Sequence, residues 1–111
     1  MSVLTKLRAI TSKLPDVTEG AHHGAIAFKA RGALFASYRA SDDEIVIGLE
    51  PDHMDALVAA DPRFKRYPRA PAVVIRGSEV ADWRHMSDLV HESYRLVASK
   101  KKSPKPRKRK R

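Results

Sequence analysis

The residues of this sequence best suited to hold a metal or move a proton are five histidines, His22, His23, His53, His85 and His91. Their spacing supports neither task well. His22 and His23 are adjacent, and His85 and His91 stand six apart, on different sides of any helix that carries both. No H-E-x-x-H or comparable ligand spacing occurs. His22, His23 and a distant carboxylate remain able to meet in space, against the plainer reading of ordinary loop and helix histidines. Asp52 with Asp55, and Asp88 with Glu92, are acid pairs at helical spacing. Without a pocket around them they are solvated surface groups with no cause for a shifted pKa. No nucleophile elbow, glycine-rich dinucleotide loop or P-loop is present. With no cysteine, the chain has no disulfide, thiolate ligand or cysteine nucleophile. These absences predict a protein that is not an enzyme and takes no cofactor and no metal.

A different chemistry is written in the basic residues. Arg63-Phe64-Lys65-Arg66-Tyr67-Pro68-Arg69 interleaves four cations with two aromatics, the mixture with which proteins hold phosphates and stack bases. The rival reading makes Phe64 and Tyr67 core anchors for a loop whose bases stay in water. Residues 100–111 hold nine bases, Lys100, Lys101, Lys102, Lys105, Arg107, Lys108, Arg109, Lys110 and Arg111, and no acid. Having no apolar residue other than two prolines, this tail cannot bury surface and is expected to be disordered when free. It is similar to the Lys/Pro tails of linker histones, and it lacks the Arg-Gly-Arg core of an AT-hook. A solubility extension and an RNA contact are the other readings of such a tail. Lys6 and Lys13, seven apart on the first predicted helix with no acid on that side, are the remaining candidate cations.

The formal net charge of +9 belongs to the tail, because residues 1–99 carry 13 bases against 13 acids. A polyanion partner is therefore implied for the tail and not automatically for the body. Within the body, residues 41–62 hold seven acids and no Lys or Arg, and residues 63–76 hold five bases and no acid. These blocks either form opposed faces or neutralise one another. A chain of 111 residues, 42% of them apolar, suits one modest core. No apolar run approaches the ~20 residues of a membrane span, and the N-terminus alternates charge too quickly for a signal peptide. A cytoplasmic protein without membrane contact is expected.

The elements that must position these residues follow from periodicity. Val3, Leu4, Leu7, Ile10 and Leu14 recur at helical spacing behind a Ser2 cap, and Pro15 ends the run. Residues 16–24 read as a loop. Strands follow at 25–30, 33–39 and 44–49, with a tight hairpin at Arg31-Gly32 and a turn at Ser41-Asp42-Asp43, together an antiparallel meander. Pro51 opens a helix on Met54, Leu57 and Val58, which Asp61-Pro62 stops. Residues 64–71 read as irregular, 72–76 as a strand, and 82–99 as a helix carrying Trp83, Met86, Leu89, Val90, Tyr94 and Val97 behind an Asp82 cap. The prediction is an α+β domain over residues 1–99, helix, three strands, helix, one or two strands, helix, followed by a basic tail at 100–111.

Particular residues within this order resemble a known family. Leu14-Pro15-Asp16-Val17-Thr18-Glu19-Gly20 is similar to the LPGV-x-EG opening of the MmcQ/YjbR family. Phe28-Lys29-Ala30-Arg31-Gly32-Ala33-Leu34-Phe35-Ala36 resembles its F-x-V-x-GK-x-FA hairpin, and Glu92-Ser93-Tyr94-Arg95-Leu96-Val97 its closing ESYRLV helix. The likeness spans roughly residues 4–101. It implies an α-β-β-β-α-β-β-α fold similar to secretion-chaperone-like domains, a bacterial host, and a family commonly described as DNA-binding by comparison with a double-wing motif. The hairpin that in the family usually carries a His-Trp or Gly-Trp pair is here Tyr67-Pro68-Arg69-Ala70-Pro71-Ala72, with neither histidine nor tryptophan.

The reading that results is a non-enzymatic protein that binds DNA, or RNA, largely without sequence preference. The tail supplies most phosphate contacts, with help from Lys6, Lys13, Arg63, Lys65, Arg66 and Arg69. The alternative is an adaptor that takes a protein or small ligand on its sheet, with an incidental tail. Protein purified without an affinity tag should contain substoichiometric zinc, iron and manganese by elemental analysis. One equivalent retained through dialysis against chelator would overturn the metal-free expectation.

Overall fold

A computed structural model of the chain describes residues 2–22 and 24–102. Its elements are α1 (Val3–Thr11), β1 (Val17–His22), β2 (Ala25–Ala30), β3 (Ala33–Arg39), β4 (Glu44–Gly48), α2 (Pro51–Ala60), β5 (Lys65–Arg66), β6 (Ala72–Arg76), a 3-10 turn at Gly77–Glu79, and α3 (Trp83–Lys102). The strands form one sheet in the order β1-β2-β3-β4-β6-β5, with every neighbouring pair antiparallel. The α+β class and the helix–strand order expected from the sequence are what the chain adopts.

Three differences from the sequence reading have physical causes. The meander has four strands, because residues 17–22 pair in full register with β2, from Val17 against Ala30 to His22 against Ala25. Val-Thr-Glu-Gly-Ala-His has no period-two apolar pattern. An edge strand of this kind is held by main-chain bonds to its one neighbour, and edge strands avoid apolar exposure. Within residues 64–71, Lys65 and Arg66 form a two-residue strand on β6, kept short by the proline at position 68, which has no N–H to continue the ladder. Finally, α3 continues three residues past 99 into the expected tail. Lysine is a good helix former, and cations are favoured at a helix C-terminus.

Alternation sorts the sheet into two faces. Register aligns Phe28, Ala36 and Ile47 with Val73, and Ile26, Tyr38, Ile45 and Ile75, on the side the helices cover. Leu7 of α1, Met54 of α2, Phe64, and Met86, Leu89 and Val90 of α3 complete one contiguous core with them. The three α3 residues are at most 1% exposed. At ~1.5–3 kcal/mol for each buried side chain, they contribute far more to fixing α3 than helix propensity does. α1 is capped by Ser2, whose hydroxyl accepts from the Thr5 N–H. It is tied to β1 by a two-bond contact from Arg8 to the Glu19 carboxylate.

Two turns fix the register. Arg31 and Gly32 both have positive φ, 53° and 85°, the pattern of a two-residue hairpin whose twist matches the strands. Asp43, at φ 54°, closes the β3–β4 turn. Its Oδ1 accepts from the Tyr38 hydroxyl at 2.8 Å and its Oδ2 from the Ser78 N–H at 2.8 Å, while its carbonyl accepts from the Gly77 N–H. A Cβ on Gly77 would fall 2.5 Å from Asp43 Oδ1 and from Val3 Cγ2, so only glycine lets β6 end against this turn. The Ser78 N–H, aided by Tyr38, holds the Asp43 carboxyl below the usual carboxylate range. Burial, with the same hydrogen bond, raises Tyr38 above the usual phenol.

Gly32→Val should cost more than ~1 kcal/mol by urea unfolding, since nothing crowds the site and the strain is that of backbone at positive φ. An unchanged midpoint would misplace the turn. Asp43→Ala should cost about 1–3 kcal/mol, because the buried Tyr38 hydroxyl loses its acceptor. The folded Asp43 pKa lies below its unfolded value, near 3.9. Its contribution is therefore complete above that value and lost as pH falls through the lower folded one. Acid unfolding of Asp43→Asn should accordingly be less steep below about pH 4 than that of the parent chain. Superimposable acid limbs would argue against the linkage.

Candidate functional site

The helices leave the other side of the sheet open. Register places Ala27, Ser37, Val46 and Val74 in one row there, and Arg39, Glu44 and Arg76 in the next. Lys65, opposite Val74, shares this side, and so does Lys29, which alternates away from buried Phe28. Arg69 joins from the loop between β5 and β6. The face and its rim thus hold Lys29, Arg39, Lys65, Arg69 and Arg76 against Glu44 and Glu50. Asp42 reaches Arg39 from the turn at 3.6 Å, an exposed pair worth little, and the face stays positive with it counted. Because residues 1–99 are neutral overall, the remaining surface must carry the matching negative excess.

Over this face lies a cavity of about 580 Å³, within the ~300–1,000 Å³ usual for small-ligand sites. Its floor is Ser37, Val46, Gly48 and Ala72, and its mouth includes Leu34, the one large apolar residue exposed among those described. One wall is the β5–β6 loop, with Tyr67, Arg69 and Pro71. The Tyr67 N–H donates to the Ala72 carbonyl, and the Pro71 carbonyl accepts from Leu49. The opposite wall is the C-terminal half of α3, with Ser93, Leu96 and Val97. That helix is brought to the sheet where Ser93, 1% exposed, donates to the Phe35 carbonyl at 2.6 Å. A Cβ at Gly48 would sit 3.3 Å from the Ser93 hydroxyl, so glycine in β4 permits the close crossing. Tyr94 secures the same crossing, edge-on to Phe35 and donating to the Pro15 carbonyl.

The candidate cations named from the sequence do not share one surface. Lys6 lies over the Trp83 ring, 5.2 Å from its centroid, on the helix-covered side. Lys13 lies in the turn after α1. Arg63 holds the Asp61 carboxylate with two nitrogens and donates to the Glu79 carbonyl. Those hydrogen bonds from Arg63 keep Asp61 ionised down to about 2. Arg66 pairs with Asp55 of α2. Only Lys65 and Arg69 of the segment reach the open face. The acidic and basic blocks of the body therefore do both things the sequence allowed, pairing at 61–63 and 55–66 and separating elsewhere. Of the two aromatics, Phe64 is core, edge-on to His85, while Tyr67 lines the cavity. Lys29, Arg39 and Arg76 were missed as candidates, although period-two counting from the buried residues of each strand picks them out.

The side chains of Lys100, Lys101 and Lys102, and all of Lys105, Arg107, Lys108, Arg109, Lys110 and Arg111, lie outside the described residues. So do the side chain of His22 and all of His23. His53 meets Glu92 at 2.8 Å, joining α2 to α3. No three His, Asp or Glu side chains among the described residues come close enough to hold a metal, and no described helix is long and apolar enough to cross a membrane.

Among curated proteins none matches this sequence. The fold is similar to the crystal structure of Deinococcus radiodurans protein DR2400, which carries the domain DUF419. The TM-score is 0.79 with 19% identity, over 88% of this chain and 80% of that one. The family model named YjbR matches residues 12–96, from the end of α1 to the α3 wall of the cavity. Because that match takes in the meander, α2, β5, β6 and most of α3, the chain belongs to the YjbR family.

Proposed function

We propose that this chain is a non-enzymatic nucleic-acid-binding protein, with DNA as its main partner and phosphate as the group it chiefly contacts. The observation that carries this reading is the continuity of positive charge. The open sheet face has five cations against two acids, and α3, which walls that face, runs into the nine bases of residues 100–111. Phosphate contacts of this kind give affinity without sequence information. Lys6, Lys13, Arg63 and Arg66 drop to a minor role, the last two because acids already hold them. The cavity by itself favours a second reading, an adaptor holding a small ligand. That reading requires no response of any nucleic-acid affinity to the tail.

If about five phosphates are neutralised on duplex DNA, log K should fall with log salt at a slope near −4.5. Ending the chain at Ser99 should collapse both affinity and slope toward the share of the open face. The melting temperature should change little, since the core contacts of α3 among the described residues reach Val97, which the truncated chain keeps. In the full chain, Lys65→Ala with Arg76→Ala should make the slope shallower by up to about 1.8, at ~0.9 for each lost contact. Lys6→Ala with Lys13→Ala should leave it alone. Equal affinity and slope with and without the tail would remove the tail from the mechanism.

A further inference from the structure

Resting on the nucleic-acid reading, we infer that the cavity on the open sheet face is a nucleobase site, which makes the preferred partner a single strand. Val46 shows the vacancy. It sits on β4, between β3 and β6 near the middle of the sheet, yet it is only half-buried and lines the cavity. Beside it the floor is Ser37, Gly48 and Ala72, low enough for a flat ring to lie on the strands. Leu34 at the mouth is 44% exposed, apolar surface that gains from being covered. Tyr67 supplies an aromatic wall at the same opening.

Around this carbon-lined space the charge is arranged for a phosphate chain. Arg39 and Arg69 line the cavity itself, and Lys29, Lys65 and Arg76 stand on the same face around it. Glu44 and Glu50 also line it, and as hydrogen-bond acceptors they face a base N–H, such as the ring N3–H of thymine, more favourably than phosphate. A duplex keeps its bases stacked and paired and shows only their edges in its grooves. A single strand can turn a base face onto an aromatic or apolar surface while cations follow its backbone. A recess with an apolar floor and basic margins fits the second geometry.

The test uses the full chain, with fluorescently labelled oligo(dT) and a duplex of the same length as probes. Oligo(dT) should bind at least as tightly as the duplex. Tyr67→Ala should weaken oligo(dT) about tenfold, ~1.4 kcal/mol, within what one stacked base contributes. The same variant should leave duplex affinity and the salt slope as they were, since no cation is lost. Tyr67→Phe should restore binding. Leu34→Glu, at a site too exposed to threaten folding, should weaken oligo(dT) by a similar factor through the charge placed at the mouth. Salt-dependent binding that responds to neither variant overturns the base site and leaves the phosphate reading standing. Binding of neither probe by the full chain overturns both.

Discussion

A six-stranded antiparallel sheet has two faces to cover, and this chain has helix enough for one. α1, α2 and the first half of α3 seal the side that carries Phe28, Ile45, Ile47, Val73 and Ile75. The depth of that burial fixes where α3 lies, since Met86, Leu89 and Val90 are almost wholly enclosed by that core. Having crossed β3 at Phe35, α3 carries Leu96 and Val97 to the rim of the uncovered side. The packing of one face thus builds a wall of the cavity on the other. Core and candidate site are not separable features of this fold.

The open face takes its character from the two-residue period of strands. Bases scattered at 29, 39, 65 and 76 along the chain come to share one face because each alternates away from a buried residue. Antiparallel register then lines up Arg39, Glu44 and Arg76 across three strands. A body with no net charge can in this way hold a sizeable field on one side, and charged ligands respond to the local field more than to the sum. The helix-covered side tells the converse. Arg63 and Arg66 look like phosphate ligands in sequence, and on the molecule they complete contacts with Asp61 and Asp55.

The junction at Asp43 shows how little keeps the arrangement in register. One carboxylate joins the β3–β4 turn to the end of β6, using the Tyr38 hydroxyl and the Ser78 N–H, and Gly77 leaves the room. Since Tyr38 and Asp43 are local in sequence and Ser78 is 35 residues away, the contact links the meander to the last strand across α2 and β5. Its lowered pKa is the electrostatic trace of that link.

Much of this was legible in the residues themselves. Helical periods at 3–14 and 82–99, the Arg31-Gly32 hairpin, Pro51 at the start of α2 and the β-branched run at 73–75 each follow from local sterics and burial, which a short window contains. The charge of residues 100–111 and the neutrality of the rest are likewise facts of composition. β1 was not legible, because a polar edge strand is held by bonds to β2 and leaves no apolar pattern of its own. Nor was the extent of α3, nor the fate of Phe64 and Tyr67, two aromatics three residues apart of which one entered the core and the other lines the cavity. Which cations are free and which are paired, and that a cavity exists at all, were decided only by tertiary structure. Both depend on distances between residues far apart in the chain, and these are set by packing the whole core at once.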